Sequence, residues 1–189
     1  IALPIDSPAV PRAENDGSAA VAAVLLALRE ISGRQLEKDL TVLLLGGEFG
    51  TGGSYPLGTR EFLSTYYPDG GTGILYIDIP GPPERVYIDG GSDISVSPAW
   101  MVILVQKLLH GDGLGSLFLG NANQVYRVGK ADQDTPIRWF MEAGYPAIRL
   151  ASGKKPYEGS AAEWVERFAG FTRDFILSTP TPIPADWDT

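Results

Sequence analysis

Apolar runs and longer helical stretches alternate along this chain. Thr41-Val42-Leu43-Leu44-Leu45, Ile74-Leu75-Tyr76-Ile77-Asp78-Ile79 and Ala147-Ile148-Arg149-Leu150 are short and nearly unbroken in apolar character. Runs of that kind predict strands buried on both faces, as in the middle of an α/β sheet. Ala19 to Leu28 is apolar on nearly all sides, so Ser18–Ile31 is expected to form a buried helix. Asn15, Asp16 and Ser18 are good caps for its start, and Gly33 is a good stop. A shorter amphipathic helix is expected from Arg60 to Tyr67, ending at Pro68. Another should run from Pro98 to Leu109, capped by Ser95 or Ser97. Trp164, Phe168, Phe171 and Phe175 recur at helical spacing between Ala161 and Leu177, which predicts one core-facing stripe. Arg85–Asp89, between Pro82-Pro83 and Gly90-Gly91, reads as an edge strand. Phe118-Leu119 and Val125-Tyr126 read as short strands. The alternation predicts a three-layer α/β/α sandwich around a mostly parallel mixed sheet, with residues 1–178 as one domain. Residues 179–189 read as an irregular, Pro-rich tail.

Composition narrows the classes. With 189 residues the chain is long enough for a sizeable core. Its net charge of −8 argues against a nucleic-acid partner, and no Lys/Arg cluster offsets it. Its longest apolar stretch is far short of the ~20 residues that span a bilayer. There are no cysteines, so thiolate metal sites are excluded. The chain opens on Ile1 within an expected strand, which predicts a processed or excised domain, truncated at its amino end.

Candidate chemistry begins at Glu48. It follows the Thr41–Leu45 run, at the carboxyl end of a strand, where open α/β sheets place their ligand crevices. The loop beyond it is glycine-rich, with Gly50, Gly52 and Gly53 before Ser54. It lacks Gly-Lys-Ser/Thr and is no P-loop. His110 is the only histidine. It falls at a helix end, where the helix dipole favours a surface imidazole.

Gly47-Glu48-Phe49-Gly50-Thr51-Gly52-Gly53-Ser54 resembles a motif of the di-zinc exopeptidases, the family of zinc aminopeptidases, glutamate carboxypeptidases and, by fold, glutaminyl cyclases. There the strand ends in Glu-Glu, the first being the general base and the second a zinc ligand. Gly47 falls on the base and Glu48 on the ligand. Pro4-Ile5-Asp6 resembles the family's His-x-Asp, with Pro for the zinc-binding His. Asn15 falls on the metal-bridging Asp at the start of the Ser18–Ile31 helix. Asp78 fits the zinc-binding Asp at the end of the Ile74–Ile79 strand. Ala143-Gly144-Tyr145-Pro146-Ala147 is similar to the family's last turn and strand, and its spacing puts the last zinc-binding His on Ile137.

A zinc hydrolase needs several N or O ligands, an open position for water and a base. At the positions Pro4, Asn15, Gly47, Glu48, Asp78 and Ile137, only Glu48 and Asp78 could bind a metal strongly. The resemblance therefore implies a degenerate member: a non-catalytic, zinc-free domain that binds a peptide or protein partner. A vestigial pocket of Asn15, Asp16, Glu48, Asp78 and Arg138 is expected, with Asn15, the glycine-loop amides or Arg138 compensating the carboxylates. Pro4→His, Asn15→Asp, Gly47→Glu and Ile137→His together are expected to restore zinc binding. The alternative is an active metal-dependent exopeptidase whose zinc is held by atypical or externally supplied ligands. The resemblance leans toward an extracytoplasmic setting.

Overall fold

The computed structural model describes residues 1–6, 16–49, 56–66, 71–92, 95–118, 120 and 135–184. Expectations at Asn15, the Gly50–Ser54 loop, Leu119, Val125, Tyr126 and residues 185–189 lie outside them. The described strands are β1 (Ala2–Pro4), β2 (Leu43–Leu45), β3 (Ile74–Asp78), β4 (Arg85–Asp89), β5 (Gly91–Ser92), β6 (Ser95–Val96), β7 (Gly115–Phe118) and β8 (Ala147–Ser152). The described helices are α1 (Ser18–Ile31), α2 (Leu57–Thr65), α3 (Ala99–Gly111), α4 (Ile137–Glu142) and α5 (Ala161–Ser178).

Six strands form one sheet in the order β2-β1-β3-β8-β4-β7. All neighbours run parallel except β4 and β8, which are antiparallel. β5 and β6 pair as a separate two-stranded ribbon. Successive strand residues point to opposite faces. Leu75, Ile77, Val86, Ile88, Ile148 and Leu150 face a core shared with α1, α3 and α5. Ala2, Leu45, Ile74, Tyr76 and Ala147 face a second core with Ile137, Phe140 and Met141 of α4. This is the expected three-layer α/β/α sandwich with a mostly parallel mixed sheet.

The helix sequences explain the layers. Ala20, Ala23 and Ala27 are buried on one side of α1, and their small side chains let α5 approach closely. On α5, Trp164, Phe168 and Phe171 are wholly buried, each phenylalanine contributing about 1.5–3 kcal/mol by area. Ser160 caps α5, its hydroxyl accepting from the Glu163 amide at 3.1 Å.

Two helix ends share one device. After α4, the Tyr145 amide donates to Phe140 O at 2.9 Å and the Gly144 amide to Met141 O at 3.0 Å. This is the Schellman pattern, with Gly144 in the left-handed region at φ 89° and Tyr145 packed edge-on against Phe140. Pro146 then ends the turn and Ala147 opens β8. The Ala-Gly-Tyr-Pro-Ala stretch is thus a helix stop followed by a strand start. Gly113 and Leu114 repeat the pattern after α3.

Several expectations are corrected. Only Leu43–Leu45 of the first apolar run pairs, and β2 stands at the sheet's edge, with Leu44 53% exposed. An apolar run fixes neither the position nor the covering of a strand. β1 occupies the inner place beside β3. Conversely β4 is not an edge strand, because β7 pairs on its outer side; the flanking prolines precede the strand and remove none of its ladder donors. α1 is buried on one side only, with Leu25 exposed. Pro98 is the N-cap of α3, and the Ser97 hydroxyl instead donates to Ala147 O at 2.5 Å.

Candidate functional site

Glu48 lies just past β2, behind Gly47, whose φ of 70° turns the chain back. The carboxylate is buried. Its Oε1 accepts from the Thr59 amide at 2.8 Å and its Oε2 from the Thr59 hydroxyl at 2.8 Å. The Tyr76 hydroxyl donates to Oε2 at 2.7 Å. Thr59 is in the first turn of α2, where backbone amides are free and the helix dipole favours an anion. Glu48 therefore serves as a distant cap for α2. The approach is close: a Cβ on Gly58 would sit 2.6 Å from Gly46 O and 3.1 Å from Glu48 Oε1. Burial first, and then the Glu48 charge, push the Tyr76 phenol above its ordinary pKa, so it stays a donor.

Asp78 ends β3 on the same sheet face as Tyr76. Arg149 of β8 meets it through Nη2 and, at 3.1 Å, through Nε. Arg149 Nη1 also donates to Asp89 Oδ2 of β4 at 3.3 Å. The register explains the contact, since Arg149 is opposite Tyr76 on one neighbouring strand and Asp89 on the other. Burial lowers the Arg149 pKa, but Asp78 and Asp89 outweigh it, and the net shift is upward. Burial raises the Asp89 pKa, against the pull of Arg149. Both carboxylates are mostly covered, with side chains 11% and 14% exposed.

The other expected positions are placed as follows. Pro4, Asp6, Gly17 and Asp78 line one crevice of about 10 Å³, the space of about a single water. Asp6 Oδ2 accepts from the Phe49 amide at 3.1 Å, tying the end of β1 to the turn at Glu48. Asp16 is at the surface, where Oδ1 accepts from the Ser18 amide at 2.9 Å; hydrogen bonding from the Ser18 side chain first, and then from its amide, lowers the Asp16 pKa. Ile137 is fully buried beside Tyr76 in the second core. Arg138 forms an i,i+4 pair with Glu142 at 2.7 Å. His110 is exposed in the last turn of α3. Among the described residues, Thr59 and Tyr76 donate to Glu48, and Arg149 donates to Asp78; the expected glycine-loop amides lie outside them. A cavity of about 350 Å³ lies at the opposite end of the sheet, by Ile1, Leu43 and Gly73.

Among the described family positions, the Pro4 and Ile137 side chains carry no metal-binding atom, and both Glu48 oxygens accept hydrogen bonds. Gly47→Glu does not fit the backbone as the sequence alone had implied: φ is left-handed there, and a Cβ would stand 3.1 Å from that of Leu57.

The family model TP_0564_1st, which describes the first domain of a family, matches residues 16–167. The chain belongs to the TP_0564 family. The matched span holds Glu48, Asp78, Asp89 and Arg149, and in this TP_0564 domain all four sit on one side of the sheet. A search of curated proteins gave no match. Among solved structures, an M18-family aminopeptidase from Thermotoga maritima is similar, at 16% identity and a TM-score of 0.45. The likeness covers 86% of this chain and 44% of that one, so the TP_0564 domain spans less than half the length of that structure.

Sequence reasoning passed over Thr59, Asp89 and Arg149. A signal for two of them was present. Tyr-Ile-Asp occurs twice, at 76–78 and at 87–89, and Arg149 is the one charged residue in its strand. Two strands with identical polar endings flank the strand that carries the cation.

Proposed function

We propose that this chain is a non-catalytic, zinc-free α/β domain that keeps the scaffold of a di-zinc exopeptidase and acts by binding a peptide or protein partner. The observation that carries the reading is the bonding of Glu48. Its carboxylate holds the start of α2 through Thr59 and accepts from Tyr76, so both oxygens serve structure. The neighbouring position, which holds the base in the family it resembles, is Gly47. Pro4 and Ile137 add no donors. Exopeptidase chemistry needs an activated water beside an open metal position, and none of these side chains supplies either.

The test is metal analysis of the purified protein combined with an aminopeptidase assay in added zinc. The reading expects no stoichiometric zinc and no turnover above a zinc blank. Turnover that depends on zinc and is lost in Asp78→Asn would instead establish an active exopeptidase with atypical ligands.

A further inference from the structure

We infer that Arg149 is a built-in cation that takes the place of a metal ion between Asp78 and Asp89. The inference rests on the zinc-free reading above and names the group that balances the site's charge. β3 and β4 flank β8, and each ends in Tyr-Ile-Asp. Their two carboxylates face the same side of the sheet and share one guanidinium, through Oδ2 of each. Oxygen donors of two aspartates, mostly covered from solvent, are the donor type that hard divalent ions take. Here the positive charge is instead covalently part of the sheet. A buried ion pair that loses one partner leaves an uncompensated charge, which is strongly destabilising. Asp78 and Asp89 therefore depend on Arg149, and an added cation should be able to substitute for it only when it is gone.

The experiment measures thermal unfolding of the parent, Arg149→Met and Arg149→Lys at neutral pH, with and without manganese(II) or zinc(II) chloride. The parent should not respond to either ion. Arg149→Met should melt lower by at least about 5 °C, and a divalent ion should return most of that loss, because a ligand bound only to the folded state stabilises it. Arg149→Lys, which keeps the charge, should need no ion. If Arg149→Met does not fold alone, the readout is refolding in the presence of manganese(II), and rescue is expected. Three results would overturn the inference: an Arg149→Met protein as stable as the parent, one destabilised or unfolded that no ion rescues, or equal stabilisation of parent and variant. Peptidase turnover by the parent would defeat the zinc-free reading as well, whereas an Arg149→Met protein blind to metal defeats this inference alone.

Discussion

Among the described residues, Glu48 accepts three hydrogen bonds from two residues, and the two hydroxyl donors can be removed singly. Tyr76→Phe keeps the ring packing and deletes one donor to a buried carboxylate. It should cost about 1–3 kcal/mol in urea unfolding, since the acceptor loses a partner without regaining water. Thr59→Val removes the hydroxyl donor but keeps the amide, and should cost a similar amount. If both changes were neutral, the capping role of Glu48 would be wrong. Asp89 gives a pH signature. Its pKa is raised in the folded protein, chiefly by burial, so the folded state binds its proton more tightly than the unfolded state. The stability it contributes is then largest below the unfolded value of about 4 and declines as pH rises through the folded value. The stability difference, parent minus Asp89→Asn, should become less favourable from about pH 4 upward. Urea melts across that range check it, and a rise with pH would contradict it.

At the scale of elements, the glycine stop after α4 is the clearest link from sequence to structure. Gly144 takes φ 89°, and Gly144→Ala should destabilise by about 1–2 kcal/mol, read from thermal or urea unfolding. An unchanged midpoint would mean the turn relaxes without strain. The helices α1 and α5 and the strands β3 and β8 were legible, because periodicity and turn residues agree there. Strand position was not. Leu43–Leu45 and Arg85–Asp89 exchange their expected central and edge places, because a run of five residues records its own burial poorly and its neighbours not at all. The Ser97 hydroxyl was equally unreadable, since its partner is the carbonyl of Ala147, far away in sequence. In the candidate site, Glu48 and Asp78 could be picked out as carboxylates at strand ends. Thr59 and Arg149 could not, because their contacts arise from a helix start folding back on the turn and from cross-strand register.

Across the whole molecule, a sheet with helices on both faces brings the carboxyl ends of β1, β2 and β3 to one edge, by Asp6, Glu48 and Asp78, while β4 runs antiparallel to β8 and brings Asp89 level with Arg149. The central claim is that these carboxylates are engaged by the chain's own donors, with Thr59, Tyr76 and Arg149 where exopeptidase chemistry would need metal and water. The most direct measurement is zinc content and zinc-dependent aminopeptidase turnover on the same purified sample. The account predicts substoichiometric zinc and turnover no higher than a zinc blank. One zinc or more per chain, with turnover abolished by Asp78→Asn in a protein that still folds, would contradict it.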